Sequence, residues 1–369
     1  MLEGRELSDR TNQINALDGL RGLAVLIVFL GHTSAIGVSL LPFIDCSGVG
    51  TTGVYLFFVL SSFLLTYPFI RKGTSVKDKC FIINYAYRRF LRIYPLYISY
   101  LLLALVSTFI ISRFLDPQQY SGIPYDLSLG DFLKQMLLLK DRGIEWSIIV
   151  EFRYYFILPF VALFFVFVLK KKLIPCLMIT IILISACVYL WSEPDPTNNH
   201  RLGQYLPIFL MGSLLAVIQN SWLNHDLNTN RNLRIVVEIS GLAAVCALIA
   251  MIPSVASFLS GSEVPHGYFH DHYVLYGFLW SLLLFAAMNG YGFLKIIFEN
   301  RFLRYVGFIS FSIYLFHLTV IRVIVYTGIS ISARGWLMLI ATIGFSSLTW
   351  ALIEKPSSKF KLALSAPSK

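Results

Sequence analysis

The chain has 369 residues, of which 57% are apolar, 15% aromatic and only 14% charged, where a soluble domain carries about a quarter charged. Long apolar runs recur along it, which excludes a soluble enzyme built on one large core and predicts an all-α polytopic membrane protein. The net charge of +10 therefore calls for a topological explanation first, and the sequence holds no aromatic-basic stretch suited to nucleic acid.

In chain order, about ten transmembrane helices are expected, over 17–36, 51–70, 93–112, 147–169, 173–191, 203–219, 235–252, 273–289, 307–326 and 335–353. The first is preceded by polar residues and lacks a small-residue cleavage site, so it reads as a retained span rather than a signal peptide. Of the 30 Lys and Arg, 21 fall in the two tails and in the connections after even-numbered spans, while six fall in the opposite connections. That excess places both termini in the cytoplasm. The expected organisation is a short cytoplasmic tail over 1–16, a transmembrane domain over 17–353 and a second cytoplasmic tail over 354–369. The Pro/Asn-rich stretch 193–199 reads as an external loop. No internal repeat of the kind found in many secondary transporters is visible.

The polar groups inside these spans need a reason to be there. Arg21 and His32 bracket ten almost wholly apolar residues in the first span. Eleven helical steps carry the imidazole about 16 Å past the guanidinium, roughly half of a hydrocarbon core of about 30 Å. An ionisable group at that depth is a functional candidate; the alternative is a packing histidine bonded to a neighbouring hydroxyl. Arg88, Arg89 and Arg92 stand at the cytoplasmic entry to the third span. Arg89 and Arg92 share a helix face, suited either to a phosphorylated ligand or to anionic lipid. Trp146, Ser147 and Glu151 open the fourth span, with Glu151 expected in the outer half of the membrane near the depth of His32. There it either supports a histidine or pairs with Arg153. Ser310, Tyr314 and His317 lie on one face of the ninth span and should point to the protein interior.

Other candidates carry less. His266, His270 and His272 cluster in an external loop, but their spacing matches no zinc motif, and no metal is expected. The five cysteines have no paired spacing. There is no Gly-rich phosphate loop and no Gly-x-Ser-x-Gly elbow.

In order, the stretches LDGLRGLAVLIVFLGH with Arg21 and His32, GVYLFFVLSSFL at 53–64, Arg88, Arg89 and Arg92 through Pro95, Trp146-Ser147 with Glu151, SFSIYLFH at 310–317 and Glu354-Lys355-Pro356 resemble the acyltransferase-3 family of integral membrane acyltransferases. Members modify bacterial cell-surface glycans and some secreted small molecules. The resemblance covers about residues 14 to 360. Ser62 stands where the family usually has glycine, so a less close helix contact is expected there. Tyr55 occupies a position often acidic in the family, and Phe152 and Arg153 replace the usual acidic-polar pair after the glutamate. The extracellular esterase-like domain fused to some members is not expected here.

The resemblance implies acyl-CoA, most simply acetyl-CoA, as co-substrate, and a bacterial inner-membrane location. Its phosphates would meet Arg21, Arg88, Arg89 and Arg92, and His32 would act as general base or transient acyl carrier. Glu151 and His317 would complete the catalytic set, and Trp146, Ser147, Ser310 and Tyr314 would line the acceptor side. The acceptor would be a hydroxyl of a surface polysaccharide or lipid-linked glycan. Acylation of a secreted small molecule, or transport of a lipid-linked or anionic solute, are the alternatives. The sequence is silent on oligomeric state.

Overall fold

The computed structural model describes residues 2–73, 79–114, 126–140, 142–191, 202–327 and 331–360. The expected loop at 193–199, Lys77 of the basic connection and the tail beyond 360 lie outside them. Among the described residues the chain is predominantly helical, with no strand. The helices are α1 (Leu2–Ala35), α2 (Gly50–Lys72), α3 (Lys79–Phe114), α4 (Leu129–Met136), α5 (Trp146–Leu163), α6 (Leu173–Leu190), α7 (Leu202–Asn224), α8 (Arg231–Ala250), α9 (Pro253–Ser260), α10 (Tyr273–Asn289), α11 (Phe293–Phe298), α12 (Arg301–Phe308), α13 (Ser310–Tyr326) and α14 (Ile331–Thr349).

Each of the ten expected spans coincides with one of these helices. Eight are long and apolar enough to cross a membrane by themselves, and α12 with α13 makes a ninth if the bent pair is one span. The tenth, α10, has 17 residues and is shorter. The ninth span departs from expectation in shape. Instead of one straight helix entering near Gly307, α12 and α13 meet at 78°, which puts Ser310 at the first turn of α13. The 71–92 connection also differs, because α3 is already helical from Lys79. At about 1.5 Å per residue its 36 residues exceed a bilayer core by roughly 24 Å.

The chain forms two compact units, residues 1–75 with 156–310, and 76–155 with 311–369. In the first, α2 packs on α1, α7 and α10, α10 packs on α8, and α1 lies along α12. Small residues let these backbones approach, as in other membrane bundles where close packing replaces a hydrophobic driving force. The tightest approach is between α1 and α12. A Cβ on Gly22 would overlap the Leu303 carbonyl, and one on Gly307 would overlap that of Asp18. At Ser62 the expected looser contact is absent. Ser62 is fully buried, and the room comes from the facing helix, where any side chain on Gly212 would strike the Ser62 hydroxyl and the Val59 carbonyl.

Two sets of buried polar groups of this unit answer each other across helices. Gln219 on α7 and Asn289 on α10 exchange amide hydrogen bonds of 3.1 and 2.6 Å. Glu238 on α8 accepts from the Gly292 and Leu294 backbone N–H groups at 2.9 and 2.6 Å, satisfying orphan donors at the start of α11. The histidine-rich loop plays a structural part. His270 Nε2 donates to the Gly48 carbonyl (2.7 Å), and the Tyr55 hydroxyl donates to that of His270 (3.1 Å). The loop thereby clasps the α1–α2 connection. Among the described residues, no group of three or more His, Cys, Asp or Glu gathers around a metal-sized site.

In the second unit α3 packs on α4 and on the chain after α14. Helix α4 is capped by Ser128, whose hydroxyl accepts from Asp131 N at 3.1 Å. On its outer side Lys140 donates to Asp131 at 2.8 Å and holds that carboxyl below the usual carboxylate range.

Because backbone faces backbone at Gly307, neither partner can yield by a rotamer change. Gly307→Leu is expected to cost about 1–3 kcal/mol or more and to lower the unfolding temperature in detergent. Gly344→Leu, where a Cβ has nothing within 4 Å, should leave it nearly unchanged.

Candidate active site

In the first unit, the approach of α1 to α12 determines where Arg21 goes. With Gly19 and Gly22 against the α11–α12 backbone, the Arg21 guanidinium reaches the bend between α12 and α13. There Nη2 donates to Ser310 Oγ at 3.3 Å, and Nη1 stands 4.0 Å from the Asp18 carboxylate. Two residues 289 positions apart in sequence thus meet. The sequence pattern divides them, Arg21 to the donor and Ser310 to the acceptor side; the structure puts both at one place. The physical reason is the packing of α1 on α12, which Ser310 follows almost directly.

His32 sits one turn from the end of α1, half-buried. Its Nδ1 is 2.8 Å from the Val28 carbonyl. A carbonyl only accepts, so Nδ1 carries the proton and the neutral ring presents Nε2 as its basic nitrogen. The ring faces the first turn of α2: a Cβ on Gly50 would stand 3.6 Å from its Cε1. Glycine at that position leaves the imidazole space beside the helix start.

In the second unit, His317 is fully buried on α13 and has the same tautomer, with Nδ1 donating towards the carbonyls of Tyr314 (2.8 Å) and Ile313 (3.1 Å). Tyr314 is buried one turn earlier. Its hydroxyl donates to the Ile144 carbonyl at 2.7 Å, and Ser147 Oγ lies 2.6 Å from it. With the tyrosine proton committed to Ile144, Ser147 is the donor of the second bond. Ser147 and Tyr314, expected to line an acceptor, therefore hold the short 3-10 turn Gly143–Glu145 and the start of α5 in place. Trp146, half-buried, immediately precedes Ser147.

Glu151 accepts from the Tyr155 hydroxyl at 2.6 Å, and the Tyr155 carbonyl accepts from the Tyr85 hydroxyl at 3.3 Å. Arg89 is an electrostatic neighbour of Glu151, Tyr85 and Arg92. This differs from the expectation that the arginines stay at the inner surface while Glu151 occupies the outer half. Tyr155 is midway along the span Gly143–Val168, so the early helical part of α3 runs beside that span instead of stopping at its end. Arg88 is exposed, while Arg89 and Arg92 are partly buried.

One polar residue is invisible to sequence reasoning. Gln135 on α4 is 1% exposed. It stands among leucines in LGDFLKQMLLL, and nothing in that string says which face turns inward.

The hydroxyl pair lends itself to a double-mutant cycle. Ser147→Ala and Tyr314→Phe are each expected to destabilise the protein by about 1 kcal/mol, and the double variant by less than the sum. Additive losses in thermal unfolding would show that the two hydroxyls do not bond.

Comparison with known proteins gives the arrangement a context. The family model described as an acyltransferase domain matches residues 14–353. The peptidoglycan O-acetyltransferase OatA of Listeria monocytogenes is 27% identical over 94% of this chain and 56% of its own length. A putative O-acetyltransferase of Staphylococcus aureus is 23% identical over 94% of this chain and 57% of its own length. The acyltransferase MdmB of Streptomyces mycarofaciens is 29% identical over 41% of this chain and 39% of its own. The chain thus spans little more than half the length of the first and second of these relatives, and no solved structure shows a significant match to it. With the family model covering nearly the whole chain, including Arg21, His32, Glu151 and His317, the protein belongs to the acyltransferase-3 family.

Proposed function

We propose that the protein is a multi-pass membrane O-acyltransferase that moves an acyl group, most simply acetyl, from acyl-CoA to a hydroxyl of a glycan. The observation that carries this reading is His32. A half-buried imidazole in an apolar helix has its Nδ1–H held by the Val28 carbonyl, which makes Nε2 the nitrogen that takes a proton. The family and the O-acetyltransferase relatives supply the reaction class. The name of the Listeria relative gives peptidoglycan as its acceptor, and we carry that over only as a glycan hydroxyl.

In this reading Nε2 accepts the proton of the acceptor hydroxyl as its oxygen attacks the thioester carbonyl. The C–S bond breaks, and the imidazolium returns the proton to the departing thiolate of coenzyme A. The alternative order, in which Nε2 first takes the acyl group and then passes it on, uses the same nitrogen. Arginine forks suit the donor's phosphates, and we assign Arg21, Arg88, Arg89 and Arg92 to that end. Ser310 would orient Arg21 rather than line the acceptor. Glu151 and His317 are assigned acid–base support, and Trp146 an apolar ring surface for a sugar. The positive-inside count supports cytoplasmic tails, and we assign the protein to a bacterial inner membrane, whose cytoplasmic side supplies acyl-CoA.

Supplying labelled acetyl-CoA to membranes that hold wild type or His32→Ala at matched expression tests the proposal. Label should enter surface glycan with wild type and fall by about two to four orders of magnitude with the variant. Equal labelling would remove His32 from the chemistry and move attention to Glu151 and His317. Labelling by neither protein, together with flux of an anionic solute, would favour the transporter reading.

A further inference from the structure

Helix α4 turns Gln135 inward beside Phe132 and leaves its leucines outside. Leu129, Leu133, Leu137 and Leu139, on and just after it, are 47–71% exposed. Gln135 is turned inward, with both side-chain atoms, Oε1 and Nε2, buried and lacking any hydrogen-bond partner. A primary amide has two donors and two acceptor lone pairs. Leaving one buried and unmet costs stability. A leucine at the same place would avoid that cost, and leucine is plentiful in this helix. The leucine stripe fits a lipid surface, so the amide has been directed towards the protein for some partner of its own.

What surrounds it indicates the partner's chemistry. The Tyr97 hydroxyl donates to the Gln135 carbonyl at 3.3 Å, and that of Tyr94 donates to the Met136 carbonyl at 2.6 Å. These bonds fix the end of α4 on α3. One turn along the same face of α3, the Tyr100 hydroxyl bonds the buried Glu145 carboxylate. The Gln135 backbone carbonyl and the Glu145 carboxylate are thus bonded by tyrosines three residues apart on one face of α3. Trp146, half-buried, follows Glu145 directly. An amide and a carboxylate held by neighbouring tyrosines of α3, with a tryptophan next in sequence, match the hydroxyls of a sugar ring and its apolar face.

We infer that Gln135, with Glu145, forms a sugar-hydroxyl subsite for the acceptor. The inference rests on the reading of the acceptor as a glycan, and it adds a binding residue on a helix between the third and fourth spans. A single buried water is the competing occupant, because waters satisfy such groups in many interiors.

The test uses the full-length protein in lipid nanodiscs, with the tetrasaccharides of N-acetylglucosamine and of glucose as probes in calorimetric titration. Wild type should bind at least one of them. Gln135→Met, which keeps length and removes both polar atoms, should weaken that binding by about tenfold or more without lowering the unfolding temperature. Glu145→Gln should weaken it as well. Unchanged sugar affinity in Gln135→Met, with a lowered unfolding temperature, would mean that the amide serves a structural water and would overturn the inference. Failure of wild type to bind either tetrasaccharide would overturn it too. Sugar binding that survives while acetyl transfer fails would retire the proposed reaction and leave the subsite standing.

Discussion

A polar group inside a bilayer has no water to fall back on, and every ionisable side chain in a span must be answered by another part of the protein. Arg21 shows how far that requirement reaches. Its answer is Ser310, at the far end of the sequence, and the contact exists only because two helix backbones touch. Gly19, Gly22 and Gly307 have no side chains to hold α1 and its neighbours apart. The glycines around Arg21 in the sequence Asp18-Gly19-Leu20-Arg21-Gly22 are therefore a packing requirement of the arginine's own position.

The same economy recurs elsewhere. Ser147 donates to Tyr314, and Tyr314 donates to the Ile144 carbonyl, so the start of α5 is held by residues that the pattern WS…SFSIY suggests for substrate. The two histidines give their Nδ1 protons to carbonyls of the preceding helical turn. That arrangement needs nothing beyond the helix itself, since the carbonyls three and four residues back lie on the histidine's own face. In each ring Nε2 is then the basic nitrogen.

Charge is distributed less simply than the loop count implies. Arg89 belongs to a helix that begins at Lys79 and lies alongside α5 near Glu151. An arginine placed there has tyrosines and a carboxylate for neighbours, whereas Arg88 next to it is exposed. Adjacent cations in one motif therefore live in different surroundings.

The ten apolar segments are legible in the sequence, because hydropathy and length are local properties that hydrocarbon enforces residue by residue. Arg21, His32, Glu151 and His317 are legible too, since a titratable side chain in an apolar run stands out without any coordinates. What these residues meet is a matter for the fold. The 78° bend before Ser310, the close approach of Gly212 to Ser62, the closeness of Arg89 to Glu151 and the inward turn of Gln135 depend on contacts between segments distant in the chain. Periodicity tells which residues share a face, but only packing tells which face is turned inward.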